Sequence, residues 1–300
     1  MRIARVELAQ TAYYALVDGG LYWTLPLPGD CATGTLIEGG AFLSLTKQGS
    51  GRPIAEAHLL APVVRPGKIV GIGRNYTEHA LEAGRAVPTE PMIFAKFATS
   101  ILGPGADITW DRAMTDAVDF EAELAVIIGQ TARRVSREDA LDHVAFYTCL
   151  NDISARDLQA NDVQWVRAKS LDTFCPIGPW LVSSDDLPDP ANRRISCTVS
   201  GERLQDASTA DMIFDVPELI HRLSQAFTLE PGDIIATGTP PGVGWFRNPK
   251  RPLHDGDHIT VAIEGIGELE NWVRVSDLAG CPGEGDGDDA HRAAAAISAE

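Results

Sequence analysis

Apolar positions in this chain fall mostly into short runs that either alternate with polar residues or are unbroken, and both patterns are strand-like. Arg2-Ile-Ala-Arg-Val-Glu-Leu8 alternates, and Asp18-Gly-Gly20 and Pro26-Leu-Pro-Gly-Asp30 interrupt the runs that follow. These features predict a small β-rich N-terminal domain over residues 1–65. Leu60-Ala-Pro-Val-Val-Arg-Pro-Gly67 has the composition of a linker leading into a strand at Lys68-Ile-Val-Gly-Ile-Gly73. A main domain is expected over 66–280, with strands at Leu124–Ile128, Ile195–Val199, Ile234–Thr237 and His258–Ile263.

Helical spacing occurs at 77–84, 136–144 and 215–226. The second is opened by Ser136, and the third has Asp215 placed to cap it and Pro217 early in the helix. Pro231-Gly-Asp and Asp255-Gly-Asp are similar turns that each feed a β-branched run. Strands dominate and do not alternate regularly with helices, so the expected class is α+β rather than doubly wound. The Gly/Asp-rich stretch 281–300 has no periodicity and is expected to be a disordered acidic tail.

Composition narrows the function classes. The 300 residues are 44% hydrophobic and 22% charged, with a formal net charge of −17. That balance argues against nucleic acid as a partner, because phosphate binding needs a basic surface. No run approaches the roughly 18 apolar residues of a membrane span. The N-terminus lacks the apolar stretch of a signal peptide, so a cytoplasmic location is expected. Asn75-Tyr-Thr77 matches a glycosylation sequon, but no secretion signal accompanies it. Five scattered cysteines form no Cys-x-x-Cys pair, which gives neither a zinc signature nor a disulfide framework. Cys175 is a possible nucleophile by residue type, yet it lies in an apolar segment with no obvious histidine partner.

The acidic excess lies mainly in 66–280, since residues 1–65 carry five acids and five bases. On a strand, Glu121 and Glu123 point to one face at the mouth of an apolar run. Side by side they would repel and be costly to desolvate, a conflict that a divalent cation resolves; an exposed strand end with solvated acids is the alternative. Asp152 ends a second apolar run and supplies a third carboxylate. Three oxygen donors without histidine or cysteine favour Mg²⁺, with Mn²⁺ or Ca²⁺ also suited. Lys169, Lys96, Arg156 and Gln159 could face such a site, or could be surface polar groups. His79 and Glu82, three apart on a helix, share a face, so the carboxylate can orient the imidazole as a base. Gly238-Thr-Pro-Pro-Gly-Val-Gly244 lacks a following Lys-Ser/Thr and is no phosphate loop; it is either a structural turn or a stiff ligand loop, with Thr239 able to hydrogen-bond a carboxylate.

Taken in order, Gly-Arg-Asn-Tyr-x-x-His (73–79) with Glu82, Asp-Phe-Glu-x-Glu-Leu (119–124) and Asn-Asp-x-x-x-Arg-Asp-x-Gln (151–159) form a series. Lys-Ser-x-Asp-Thr-Phe-x-Pro-x-Gly-Pro (169–179) and Thr-Gly-Thr-Pro-x-Gly-Val-Gly (237–244) complete it. The series resembles the fumarylacetoacetate hydrolase superfamily, in its branch of acylpyruvate hydrolases and 2-hydroxyhepta-2,4-diene-1,7-dioate isomerases. The resemblance implies a mixed β-sandwich roll, usually as a homodimer, with Mg²⁺ held by Glu121, Glu123 and Asp152. It implies that His79 and Glu82 activate water, that Lys169 stabilises an enolate, and that Gln159 assists. Arg74, Tyr76, Lys96, Arg156, Gln159 and Thr239 are the expected substrate-binding positions. The expected reaction is C–C hydrolysis of a small 3-acylpyruvate-type 2-oxo acid. Oxaloacetate decarboxylation or dienedioate isomerisation on the same site is the alternative, and a non-catalytic metal- or carboxylate-binding module is the remote one.

Overall fold

The computed structural model describes residues 1–43 and 45–277. The acidic tail expected at 281–300 lies outside the described residues. Two sheets dominate. The larger has twelve strands, and its centre runs through Cys175–Ser183, Val144–Asn151, Ala122–Ile128, Ile234–Ala236, Ile69–Gly73 and Met92–Ala95. The smaller has five, in the order Glu202–Ser208, Arg194–Val199, His258–Ile263, Gly267–Ser276 and Asp107–Asp111. Sheets packed around shared cores, with few helices, form the expected α+β mixed roll.

The unbroken apolar run Ala122–Ile128 is explained by its place between two cores. Leu124, Val126 and Ile128 join the cluster shared with Ile195, Val261 and Val273 of the smaller sheet. Ala125 and Ile127 point the other way, into a cluster with Ile3, Tyr14, Phe146 and Leu181. A strand buried on both faces cannot show alternation. By contrast, His258–Ile263 buries only Ile259, Val261 and Ile263, and its sequence alternates accordingly.

The N-terminal segment is β-rich, and its first strand, Arg2–Leu8, extends the larger sheet by pairing Arg2 with Val182 and Ile3 with Leu181. It therefore shares its sheet with the strands of the expected main domain. Helix Val216–Ala226 has Asp215 as its cap, whose carboxylate accepts the Glu218 N–H at 2.9 Å. Helix Thr77–Glu82 is shorter than its spacing suggested because Gly84, at φ +65°, ends it. The helix expected at 136–144 is corrected: only the 3₁₀ turn Ala140–His143 forms. Ser136 Oγ accepts the Asp139 N–H at 3.2 Å, a local bond that competes with helix continuation. Among the described residues, no helix is long and apolar enough to cross a membrane.

Candidate active site

Strand directions bring all the motifs to one end of the larger sheet. Ala122–Ile128 and Val144–Asn151 are antiparallel with Ala122 opposite Asn151, so the start of one meets the end of the other. Glu121 and Glu123 therefore lie beside Asp152, whose N–H donates to the Glu121 carbonyl at 2.8 Å. Ile234–Ala236 is antiparallel to Ala122–Ile128 and parallel to Ile69–Gly73. Its exit, the 237–244 loop, and the 74–82 segment consequently emerge at this same end.

Ligand atoms of Glu121, Glu123 and Asp152 lie within 4.8 Å of one another, and all three residues are buried. Lys169 Nζ bridges two of them, at 2.7 Å from Glu121 Oε2 and 2.6 Å from Asp152 Oδ2. Burial disfavours its ammonium, but the charges of Asp152 and Glu121 outweigh that and raise its pKa. Burial likewise disfavours the Glu121 carboxylate, and the Lys169 and Arg156 charges reverse the effect, holding its pKa well below the usual carboxylate range. Among the described residues Glu123 has no ion-pair partner; its carboxylate accepts the Gly238 N–H at 3.0 Å. Burial first, then the Asp152 and Glu121 charges, push its carboxyl well above the usual range. An under-compensated cluster of hard oxygen donors fits a divalent cation.

A cavity of about 250 Å³ opens above this cluster. Glu121 and Lys169 reach its surface, together with His79, Arg74, Arg156, Gln159 and Thr239. His79 Nδ1 lies 2.8 Å from Glu82 Oε1. Glu82 also accepts the Gly242 N–H, at 3.0 Å to Oε2. An ionised carboxylate only accepts, so in the neutral imidazole Nδ1 carries the proton and Nε2 the lone pair. Gly242 sits at φ +100°, and a Cβ there would fall 2.2 Å from the Leu204 carbonyl oxygen, so only glycine fits.

Three expected substrate-binding residues have side-chain polar groups that are already bonded or lie off the cavity wall. Lys96 is fully buried and its ammonium is saturated: it donates to Asp152 Oδ1 at 2.7 Å, to the Phe174 carbonyl at 3.0 Å and to the Lys169 carbonyl. Tyr76 is buried away from the cavity wall, with its hydroxyl unpaired. Thr239 lines the cavity, but its hydroxyl donates to the Ala122 carbonyl at 3.0 Å and so has no proton for a carboxylate. Arg156 holds the site rather than offering free donors: it binds Asp119 Oδ2 at 2.8 and 2.9 Å, Glu121 Oε1 at 2.7 Å and Gln159 Oε1 at 3.0 Å. Gln159 lines the cavity, and with its Oε1 bound to Arg156 its amide N–H₂ makes no hydrogen bond among the described residues.

Sequence reasoning missed Asp119, although it lies inside a quoted motif. It is buried, and besides Arg156 it accepts the N–H groups of Gly244 and Trp245 at 2.8 and 3.1 Å. Trp165, Trp245 and Phe246 of the cavity wall were also missed, because isolated aromatics carry no spacing signal. Cys175 is buried and its thiol is pushed up to about 12 by burial, which rules against a nucleophile. The Asn75 amide is buried on Phe214 and Thr237 carbonyls, so the sequon is structural.

Residues 68–274 match the family model of the fumarylacetoacetate (FAA) hydrolase C-terminal region. The chain belongs to this family. It is an enzyme, and the binding-module expectation is set aside. A mitochondrial oxaloacetate tautomerase of Bos taurus is 48% identical over 223 residues, covering 74% of this chain and 71% of that protein. The oxaloacetate tautomerase YisK of Bacillus subtilis (strain 168) is 46% identical over 223 residues, covering 73% and 74%. Among solved structures, a fumarylacetoacetate hydrolase from psychrophilic Exiguobacterium antarcticum superposes with a TM-score of 0.82 at 37% identity. That match covers 92% of this chain and all of the other.

Proposed function

We propose that this enzyme interconverts the keto and enol forms of oxaloacetate with Mg²⁺ held by Glu121, Glu123 and Asp152. The observation that carries the reading is one cavity lined by His79, the buried Lys169 and Glu121, the last being a member of the carboxylate cluster. The names of the two tautomerases favour oxaloacetate chemistry over the acylpyruvate hydrolysis expected from sequence.

Glu121, Glu123 and Asp152 would hold Mg²⁺, which would supply a Lewis acid for the 2-oxo acid end of the substrate. His79 Nε2 takes a proton from C3, and Glu82 stabilises the resulting imidazolium through Nδ1–H. The C3–H electron pair becomes the C2=C3 double bond, and the carbonyl pair moves to the 2-oxygen. Lys169 is kept protonated by its two carboxylates and stabilises that developing charge. The proton taken up by His79 passes through water to the 2-oxygen, which completes the enol and restores the base, and ketonisation runs through the same groups in reverse. The Gln159 amide donates to a substrate oxygen and limits rotation. Hydrolysis is the second reading, supported by the superposed hydrolase: the same imidazole would deprotonate a water instead.

Ultraviolet absorbance of enol oxaloacetate tests the proposal. Enzyme with Mg²⁺ is expected to speed the approach to keto–enol equilibrium without releasing pyruvate; an unchanged rate rejects it.

A further inference from the structure

The carboxylates below the cavity are partly compensated by Lys96, Arg156 and Lys169, whereas two arginines that line the cavity have no carboxylate partner among the described residues. Arg74 and Arg85 both line the cavity, as do His79, Trp165 and Phe94. Neither donates to a carboxylate among the described residues, in a chain with 42 acidic against 25 basic side chains. Arg74 is half-buried, with its guanidinium 5.6 Å from the Trp165 ring centroid. Burial first and then the charge of Arg85 make protonation of Arg74 less favourable than usual. Two cations that disfavour one another in one cavity await an anion.

Local structure explains how Arg85 comes to face the cavity. The Gly84 N–H donates to the Leu81 carbonyl and the Arg85 N–H to the Ala80 carbonyl, each at 2.9 Å. This is the paired bonding of a glycine-terminated helix end, and it needs the left-handed φ of +65° that Gly84 adopts. The motif fixes Arg85 to the very helix that carries His79 and Glu82. Arg74 sits in the left-handed region at φ +56°, where the chain leaves strand Ile69–Gly73.

We infer that Arg74 and Arg85 form a second carboxylate site, which selects four-carbon and related dicarboxylates by their distal carboxylate over 2-oxo monocarboxylates. Arginine suits this task because its planar donors match a carboxylate bidentately. The assignment rests on the floor binding the 2-oxo acid end, as proposed above. It adds that the distal end is read by a residue tied to the base-bearing helix, so seating that end also seats His79.

Calorimetry on the Mg²⁺-loaded full chain, with probes that do not react, tests this independently of turnover. Malate offers both ends, its 4-methyl ester neutralises the distal one, and oxalate engages the floor alone. The wild type is expected to bind malate at least tenfold more tightly than the ester. Arg85→Ala and Arg74→Gln should each reduce that preference at least threefold and leave oxalate affinity within twofold. Arg85→Lys, which keeps the charge, should retain part of the preference. A preference unchanged in both variants, a wild type without preference, or an equal loss of oxalate and malate would overturn the assignment. If the preference behaves as expected while oxaloacetate is not tautomerised, the dicarboxylate site stands and the proposed reaction fails.

Discussion

Lys169 Nζ sits 2.7 Å from Glu121 and 2.6 Å from Asp152, so one buried ammonium holds together two of three clustered carboxylates. It is a counter-ion for the fold and an electrophile for the reaction at once. Lys169→Met should therefore lower stability by about 3–5 kcal/mol in metal-free protein, because it strands buried like charges. Denaturant titration checks this. Saturating Mg²⁺ should recover part of the stability but not the turnover.

Glu123 makes the opposite prediction. Its carboxyl is raised by burial and by its acidic neighbours, so folding favours the protonated form. For a raised pKa, the contribution to stability is full below the ordinary carboxyl value and is lost as pH rises through the raised one. Metal-free protein should thus lose stability as pH climbs out of the acidic range. Glu123→Gln should raise the melting temperature of metal-free protein at neutral pH and weaken Mg²⁺ binding at least tenfold by calorimetry. A metal-free melting temperature that falls in this variant contradicts the electrostatic account.

His79 acts on the substrate rather than on the fold. His79→Ala should cut kcat by about 10²–10⁴-fold, the usual range for a general base. Its Mg²⁺ affinity should stay within a few-fold of wild type. Glu82→Gln keeps the shape but removes the charge that supports the imidazolium, so a smaller loss of kcat is expected, with a shifted pH–rate profile.

Asp119 ties Arg156 to the backbone of Gly244 and Trp245. Asp119→Ala leaves the Arg156 guanidinium short of a partner in a buried setting and should cost about 3–5 kcal/mol. Trp245 and Phe246 line the cavity, so KM should rise too. Asp119→Asn should lie between wild type and Asp119→Ala in melting temperature.

The strands were legible because apolar runs are local: Ile195–Val199 and His258–Ile263 fall inside the observed strands Arg194–Val199 and His258–Ile263. The 136–144 helix was misread because a side chain of Ser136 competes for a backbone N–H, which periodicity does not register. Glu121, Glu123 and Asp152 were legible as a cluster because the two glutamates open one apolar run and Asp152 closes another. What sequence could not show was charge pairing across the fold. Lys96 looked like a substrate contact, yet three acceptors from distant segments consume its donors. Arg85 carries no motif at all, and only the glycine-ended helix brings it to the cavity.

The central claim is that His79, Lys169 and the three carboxylates act together on the enol of oxaloacetate. The most direct measurement follows ketonisation of enol oxaloacetate by stopped-flow absorbance, with Mg²⁺, with chelator and with the His79→Ala protein. The account predicts fast ketonisation that chelation abolishes and His79→Ala reduces at least a hundredfold. Ketonisation no faster than in buffer, alongside rapid Mg²⁺-dependent cleavage of an acylpyruvate, would contradict it.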